Sequence, residues 1–367
     1  MKIALLSSLL SIHTVRWANA FAERNHDVYV ISAKSHCETT HGVSPKVNIV
    51  PLPYSSPHGY FLNAITLKKT LKQINPDVLN AHYASGYGTL GRLSAFHPYV
   101  LSVWGSDVFD FPFKSRYHMA LIRKNLLAAD LVCSTSHVMA QQTLKICPEI
   151  QRIEVTPFGV DTQIFKPLPD CRNPEYITIG TVKTLAHKYG IDTLLHAFAL
   201  ACSEMKKIDP GKKLRLLIAG DGPEKFKLQE LARSLKIESQ CIWVGKVPHS
   251  EVPKILNQFD IYVALSRSES FGVAIIEASA CGIPVVVSDA GGLPEVVEGE
   301  KTGFIVPRDS PNEAYNALIS LLIDSDMSKK MGQKGIEFVK RTYEWDLCVN
   351  KLEEFFLSVS SHEEGNI

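Results

Sequence analysis

Short apolar runs separated by helix-length amphipathic segments recur from the start of the chain: 3–6, a helix over 14–24, then 28–32, and later 78–81, 100–103 and 131–134. Runs of that length joined by helices fit a doubly wound parallel sheet. The rhythm stops across 158–174, which is rich in turn formers and holds three prolines, as a hinge between domains would. It then begins again, with strand candidates at 176–180, 214–219, 241–244, 261–265 and 284–288 and helices near 190–207, 223–236, 251–258 and 272–280. The pattern predicts an α/β chain of two Rossmann-like domains, 1–165 and 166–342. A last helix is expected over about 343–360, and a polar, disordered tail completes the segment 343–367. At 367 residues, 45% hydrophobic, each half can bury its own core. Ligands of open parallel sheets bind outside the carboxyl ends of the strands, so two such domains facing each other define a cleft.

Lys and Arg number 39 against 38 Asp and Glu, so no global field recommends nucleic acid as a partner. The eight cysteines stand singly, with no C-x-x-C pair and no zinc-type histidine spacing, and read as reduced, mostly buried thiols of a cytoplasmic protein. Lys2, the apolar stretch 3–12 and Ala18-Asn19-Ala20 imitate a weak secretory signal. Three serines and His13 interrupt that stretch, and a first strand, loop and helix explains it better. No run of roughly 18 apolar residues suggests a transmembrane span.

The chemistry concentrates in Ser268-Glu269-Ser270-Phe271-Gly272-Val273, which follows the strand candidate 261–265 and opens a helix. A strand that turns at a glycine into a helix presents unpaired amides and the positive end of the helix dipole, a seat for a pyrophosphate. Ser270, Phe271, Gly272 and Val273 would form that seat. Glu277, about one and a half turns into the helix, could accept hydrogen bonds from ribose hydroxyls. Glu269 sits at the strand end. Taken singly, each carboxylate also fits a plainer role, Glu277 favouring the helix start and Glu269 lying solvated in a loop.

Glu269 and Glu277 have seven residues between them, in a setting continued by Ala280-Cys281-Gly282-Ile283-Pro284. This resembles the E-x7-E signature of the family 4 retaining glycosyltransferases, which have the GT-B fold. Ile179-Gly180-Thr181-Val182-Lys183 with His187-Lys188-Tyr189-Gly190 looks like the family's basic donor motif, and Ala219 followed by Gly220, Asp221 and Gly222 like its next strand-end loop. Ala290-Gly291-Gly292, Gly303-Phe304, Trp104-Gly105-Ser106-Asp107 and Phe158-Gly159-Val160-Asp161 also match. The resemblance implies transfer of a sugar from a UDP- or GDP-sugar to a saccharide or lipid-linked acceptor, as in polysaccharide, lipopolysaccharide or glycolipid assembly, with retention and with neither cofactor nor metal. It implies that Glu269 contacts the donor sugar, Glu277 the ribose, and Lys183 and Lys188 the diphosphate. It also implies that the last helix, over about 343–360, crosses back toward the first domain. The family usually has arginine two residues after the strand glycine or immediately after it, whereas Thr181 and Val182 follow Gly180 and precede Lys183 here. Lysine is a point charge without the arginine fork, so Lys188 is the stronger clamp candidate, and Lys183 also fits a solvated loop cation.

On the acceptor side the loops after the first domain's strands offer Ser11, His13, His82, Trp104 and Asp107, with His82 and Asp107 as catalytic candidates; a strand-end histidine is also often a capping residue. The helix 114–128 carries Lys114, Arg116, His118, Arg123 and Lys124 and could lie weakly on an anionic membrane, or be a surface helix with solvated cations above a buried Met119, Ile122 and Leu126 stripe. Two competing functions are a nucleotide-sugar epimerase and a binding module that keeps the nucleotide pocket without turnover.

Overall fold

The computed structural model of the protein describes residues 1–38 and 42–361, so most of the expected polar tail lies outside the described residues. The chain divides into two compact units: Met1–Phe158 together with the segment from Asp346 onward, and Gly159–Trp345.

The first unit is a seven-stranded, wholly parallel sheet in the order β3-β2-β1-β4-β5-β6-β7. Its strands are β1 (Lys2–Leu6), β2 (Asp27–Ala33), β3 (Asn48–Leu52), β4 (Val78–His82), β5 (Tyr99–Val103), β6 (Leu131–Ser134) and β7 (Ile153–Val155). The central strands are buried along their whole length, which is why they read as continuous apolar runs. The sequence pattern misses β3 and β7 because they are edge strands: β3 contains Pro51, and β7 is three residues long and only half buried.

Seven helices connect these strands: α1 (Ile12–Glu23), α2 (Gly59–Leu62), α3 (Ala64–Ile74), α4 (Gly86–Ser94), α5 (Ser106–Phe109), α6 (Arg116–Leu127) and α7 (His137–Ile146). Leu67 and Leu71 of α3, Leu90 of α4, and Ile122 and Leu126 of α6 pack with Leu79, Leu101 and Val103 on one face of the sheet. The expected basic helix 114–128 is shorter. A 3-10 turn occupies Phe111–Lys114, and Ser115 caps α6 by accepting the His118 amide at 3.3 Å.

The second unit repeats the plan with six parallel strands in the order β10-β9-β8-β11-β12-β13. They are β8 (Tyr176–Val182), β9 (Lys213–Ala219), β10 (Cys241–Gly245), β11 (Ile261–Ala264), β12 (Val285–Ser288) and β13 (Gly303–Val306), with α8 (Ile191–Ile208), α9 (Lys225–Ser234), α10 (Val252–Leu256), α11 (Val273–Ala280), α12 (Pro311–Ile323) and α13 (Ser325–Thr342). Buried residues in α8 recur at three- and four-residue steps, as in Leu194, Phe198, Ala201 and Met205, so the helix turns one stripe onto Leu216, Ile218 and Val263. In each sheet the strand order reverses at the first strand of the unit, between β1 and β4 and between β8 and β11.

The final helix, α14 (Trp345–Ser360), groups from Asp346 onward with the first unit. Arg24 reaches Asp346 and Glu353 of α14, each at 2.9 Å, and His26 reaches Glu353 at 2.7 Å. The division falls at 158/159 and 345/346 rather than at 165/166 and 342/343. Val160 and Glu344 form a bridge, with the Val160 amide donating to the Tyr343 carbonyl at 2.8 Å, and both strands of that crossing belong to the second unit. All eight cysteines are free, and burial pushes Cys133, Cys202, Cys241 and Cys281 up to about 12, so they stay thiols. No helix among the described residues is long and apolar enough to cross a membrane.

Candidate active site

In the second unit the loops after β8 and β11 meet at the point where the strand order reverses. Lys183 follows β8 directly, and its Nζ donates to Glu269 Oε2 at 2.5 Å. Both side chains are nearly enclosed, 9% and 15% exposed. Burial alone would lower the Lys183 ammonium, but the Glu269 charge outweighs it and holds the group above the usual lysine range. Lys183 is therefore not a solvated loop cation. The Lys183 carbonyl is closely approached by Gly220, where φ is +143° and an added Cβ would come within 1.8 Å. Gly291, at φ +52°, does the same against the Glu269 carbonyl, at 1.9 Å. Glycine is what lets the loops after β8 and β9, and those after β11 and β12, approach so closely here.

Lys188 is exposed, in a short 3-10 turn, His187–Tyr189. Its ammonium and that of Lys183 both lie against the Tyr189 ring, 4.9 and 5.1 Å from the centroid. Arg267 fixes this turn beside the Glu269 loop. Its guanidinium makes a fork to Asp192, at 2.9 and 2.8 Å, and also donates to Asp309 and to the His187 carbonyl, each at 2.6 Å. The expected ranking of the two lysines is thus reversed in one respect: Lys183 is locked to Glu269, while Lys188 is positioned through its backbone.

Glu277 lies on α11 with 5% of its surface exposed, and His249 Nε2 stands 3.1 Å from its Oε1. The His249 ring meets Phe165 edge-on at 5.6 Å. Gly272, at φ +107°, caps α11 without a side-chain hydrogen bond, which leaves the Val273 end of the helix as an open amide terminus. The Phe271 side chain takes no part in the amide seat expected there. It is buried, 5.6 Å edge-on to Tyr343, and only its backbone can serve a ligand. Tyr262 is fully buried within the field of Lys183, Glu269 and Glu277, and burial pushes its hydroxyl up to about 12.

A cavity of about 440 Å³ opens beside Lys183, lined by Thr184, Gly220, Asp221, Lys246 and Val247. Asp221 accepts the Gly222 amide at 2.8 Å, and that bond together with Lys225 holds its carboxyl below the usual range. Buried and exposed cations, a helix terminus and two carboxylates gather on the loops and the helix that follow β8 and β11, with the hollow lined by Lys183 and Asp221 beside them, which suits a phosphorylated polyhydroxyl ligand.

In the first unit, the buried side chains of His82 and Asp107, expected as catalytic candidates, have their polar atoms paired within the protein. His82 is buried, with Nε2 2.8 Å from Asn80 Oδ1 and Nδ1 3.0 Å from Ser7 Oγ. Asn80 uses its amide nitrogen on Val100 and Ser102, so Oδ1 accepts from Nε2 and the Ser7 hydroxyl donates to Nδ1. Burial, with His13 adding to it, pushes the imidazole down to about 3, so it stays neutral. Asp107 is 1% exposed and accepts the amides of Ala84, Trp104 and Gly105 at 2.8 to 3.3 Å, which pins the turn after β5 to the turn after β4. Burial pushes its carboxyl up despite those amides.

Ser11 precedes α1 without a side-chain cap, and His13 stacks on Phe158 with centroids 4.0 Å apart. Trp104 is buried among His13, His82, Tyr83 and Phe158. Tyr83 holds φ +70° and leaves its ring 38% exposed, an unusual backbone for an aromatic residue and one that clusters at ligand sites. Sequence reasoning missed Tyr83, His249, Arg267 and Tyr262. For Tyr83 and Arg267 the position just after a strand was a signal, whereas Tyr262 lies inside β11 and His249 in a turn beyond β10.

A family model described as "Glycosyl transferases group 1" matches residues 170–338, and one described as "Glycosyl transferase 4-like" matches 2–136. The chain is 26% identical over 248 residues to the phosphatidylinositol N-acetylglucosaminyltransferase gpi3 subunit of Schizosaccharomyces pombe, a match covering 67% of this chain and 52% of that protein. It is 32% identical over 218 residues to a GDP-mannose-dependent alpha-(1-6)-phosphatidylinositol monomannoside mannosyltransferase of Mycobacterium tuberculosis, covering 55% of each. The chain thus spans only about half the length of these curated relatives. Among solved structures, Anabaena HepE in complex with UDP shares the fold at TM-score 0.80, with 18% identity, over 98% of this chain and 100% of that one. With two matching models that together run through both sheets, the chain belongs to the group 1 glycosyl transferases of the GT-B type.

Proposed function

We propose that the protein transfers a glycosyl group from a nucleoside-diphosphate sugar to a saccharide or lipid-linked saccharide, with retention and without a metal. The observation that carries this reading is the enclosed Lys183–Glu269 pair at the strand-order reversal, beside an open helix terminus and a hollow of nucleotide size. Lys183 and Lys188 stabilise the diphosphate as it departs with growing negative charge. Glu269 orients the donor sugar through its hydroxyls. Glu277 accepts from the ribose, with His249 holding Oε1 so that Oε2 is left to the ligand.

In the reaction the bond from the anomeric carbon to the phosphate oxygen breaks and the bond to the acceptor oxygen forms on the same face. The acceptor proton passes to the leaving phosphate. Glu269 is held by Lys183 and is not a nucleophile; trapping a glycosyl–Glu269 adduct would overturn that assignment. HepE was crystallised with UDP and the mycobacterial relative is named for GDP-mannose, so uridine and guanosine donors come first. On the acceptor side the candidate contacts are Ser11, His13 and Tyr83, in the turns and helix start that follow β1 and β4. The basic α6 adds a weak peripheral contact with an anionic membrane to this reading.

The test is a screen of UDP-, GDP- and ADP-sugars in EDTA, read by calorimetry and nucleotide release, alongside Glu277→Ala. One nucleotide class should bind without metal and lose affinity in the variant. Binding without release or transfer from any donor would leave a nucleotide-binding module in its place.

A further inference from the structure

Each sheet has a groove at the amino ends of its strands, the edge opposite the loops that carry Lys183 and Glu269 in the second unit. In the first unit this groove holds about 580 Å³ and is walled by Pro98, Asp130 and Arg152, which stand just ahead of β5, β6 and β7. Its polar groups are already paired. Asp130 accepts the Tyr99 amide at 2.6 Å and meets His97 at 2.7 Å, while Arg152 donates to Ser358 at 3.2 Å and to Glu154 at 3.3 Å. Glu149, also in the wall, pairs with Arg123. Such a groove is complete without a ligand.

The corresponding groove of the second unit holds about 510 Å³ and lies at the starts of β8, β9 and β11. Helix α13 forms a wall. It comes in close because Gly332 lies against the Gly282 carbonyl, where an added Cβ would approach within 2.2 Å. Among the described residues, the cations Arg172, Lys212 and Lys329 line this groove with one carboxylate, Asp260. That carboxylate is engaged: Oδ2 accepts the Thr178 amide at 2.8 Å, and Oδ1 lies 3.5 Å from Arg172. Lys212 has only a loose contact with Asp209, at 3.7 Å. Lys329, Ser325 and Ser328 of α13 commit no side-chain donor to another described residue. The start of α13 is not itself the seat, since the Asp324 carboxylate closes it on the Met327 amide at 2.8 Å. Below these donors the lining is aliphatic, with Ile177, Ile261, Leu321 and Leu322.

Uncommitted cations and hydroxyls above an aliphatic floor select an anion with an apolar part. A neutral sugar needs acceptors as well as donors, and the one carboxylate is already taken. Inorganic phosphate would use the cations and leave the floor exposed to water. We infer that this groove binds a small organic phosphate monoester. Arg172, Lys212 and Lys329 take its phosphate, Ser325 and Ser328 add hydroxyl donors, and the apolar body covers Ile177, Ile261, Leu321 and Leu322. The site is separate from the donor hollow, because Lys183 and Glu269 follow the other ends of β8 and β11. It therefore stands apart from the transferase reading.

The test is calorimetry of the full chain with phenyl phosphate, inorganic phosphate and benzyl alcohol, each with and without saturating UDP or GDP. Phenyl phosphate should occupy a single site about tenfold more tightly than either fragment, and should do so with the nucleotide present. Lys329→Glu and Arg172→Gln should each weaken it on the order of tenfold. Ser328→Trp, which fills the groove, should abolish it, and Lys188→Ala in the donor turn should leave it unchanged. Thermal melting checks that each variant folds, and nucleotide titration without phenyl phosphate reports on the transferase reading by itself. Absence of phenyl phosphate binding, binding no tighter than that of inorganic phosphate, or undiminished binding by the folded Lys329→Glu and Ser328→Trp variants overturns the inference. So does binding that the nucleotide displaces or Lys188→Ala removes, which would put the phosphate in the donor hollow.

Discussion

The strand-end loops of the two units use similar residue types to opposite ends. After β4 and β5, His82 and Asp107 have their hydrogen bonds completed by neighbours, so one is a neutral imidazole and the other a backbone clamp. After β8 and β11, Lys183 and Glu269 are also enclosed, but they face each other as ions, and Lys188 and His249 beside them remain exposed. Enclosure is common to both sites. What separates them is whether the polar atoms are already satisfied by the backbone or are held by one another, in a form that a ligand can exchange.

The sharpest way to break this contrast is to remove one member of the ion pair. Glu269→Ala or Lys183→Ala should lower turnover by about 10²- to 10³-fold and cost about 3–5 kcal/mol of stability, because the partner charge is left enclosed and unpaired. The double substitution should recover much of the stability in urea unfolding and none of the turnover. Next comes His82. Its folded-state pKa, about 3, is below the unfolded value near 6.5, so the unfolded chain binds more protons between those values. The stability it contributes is present above pH 6.5 and is lost as pH falls toward 3, on the order of 4 kcal/mol in full. His82→Gln should flatten that part of the pH–stability curve while leaving turnover per folded molecule unchanged at neutral pH. A fall in turnover with unchanged stability would restore His82 as catalytic.

Smaller effects test the surroundings. Arg267→Lys cannot keep the fork to Asp192 and should raise the donor KM about tenfold with a lesser change in kcat. His249→Ala should weaken nucleotide binding only a fewfold, and His249→Gln less, since an amide can still donate to Glu277. If His249→Ala instead tightens binding, the histidine competes with the ribose for the carboxylate.

The sequence revealed the double sheet because the central strands are apolar on both faces, and it revealed Glu269 and Glu277 because strand, turn and helix are contiguous there. It could not reveal which carboxylates and histidines were already satisfied. Asp107 and His82 look like site residues by type and position, and only the structure reveals the three amides, Asn80 and Ser7 that already pair with them. Contacts between distant segments were equally hidden: His249 meets Glu277 across 28 positions, and Arg267 meets Asp192 across 75. Lys183 was undervalued for a related reason, because its distance from the strand glycine says nothing of the Glu269 carboxylate that encloses it.

The return of α14 to the first unit makes that unit discontinuous in the chain, with the second inserted between its two parts. Arg24 and His26, made early, wait for Asp346 and Glu353, which lie 322 and 329 positions beyond Arg24. On the ribosome the second unit can therefore complete its sheet first, while the first keeps the side of α1 that faces α14 uncovered, with Phe21 lacking Phe356. Nascent chains stalled before residue 346 should expose that side to chaperones and proteases until α14 covers it.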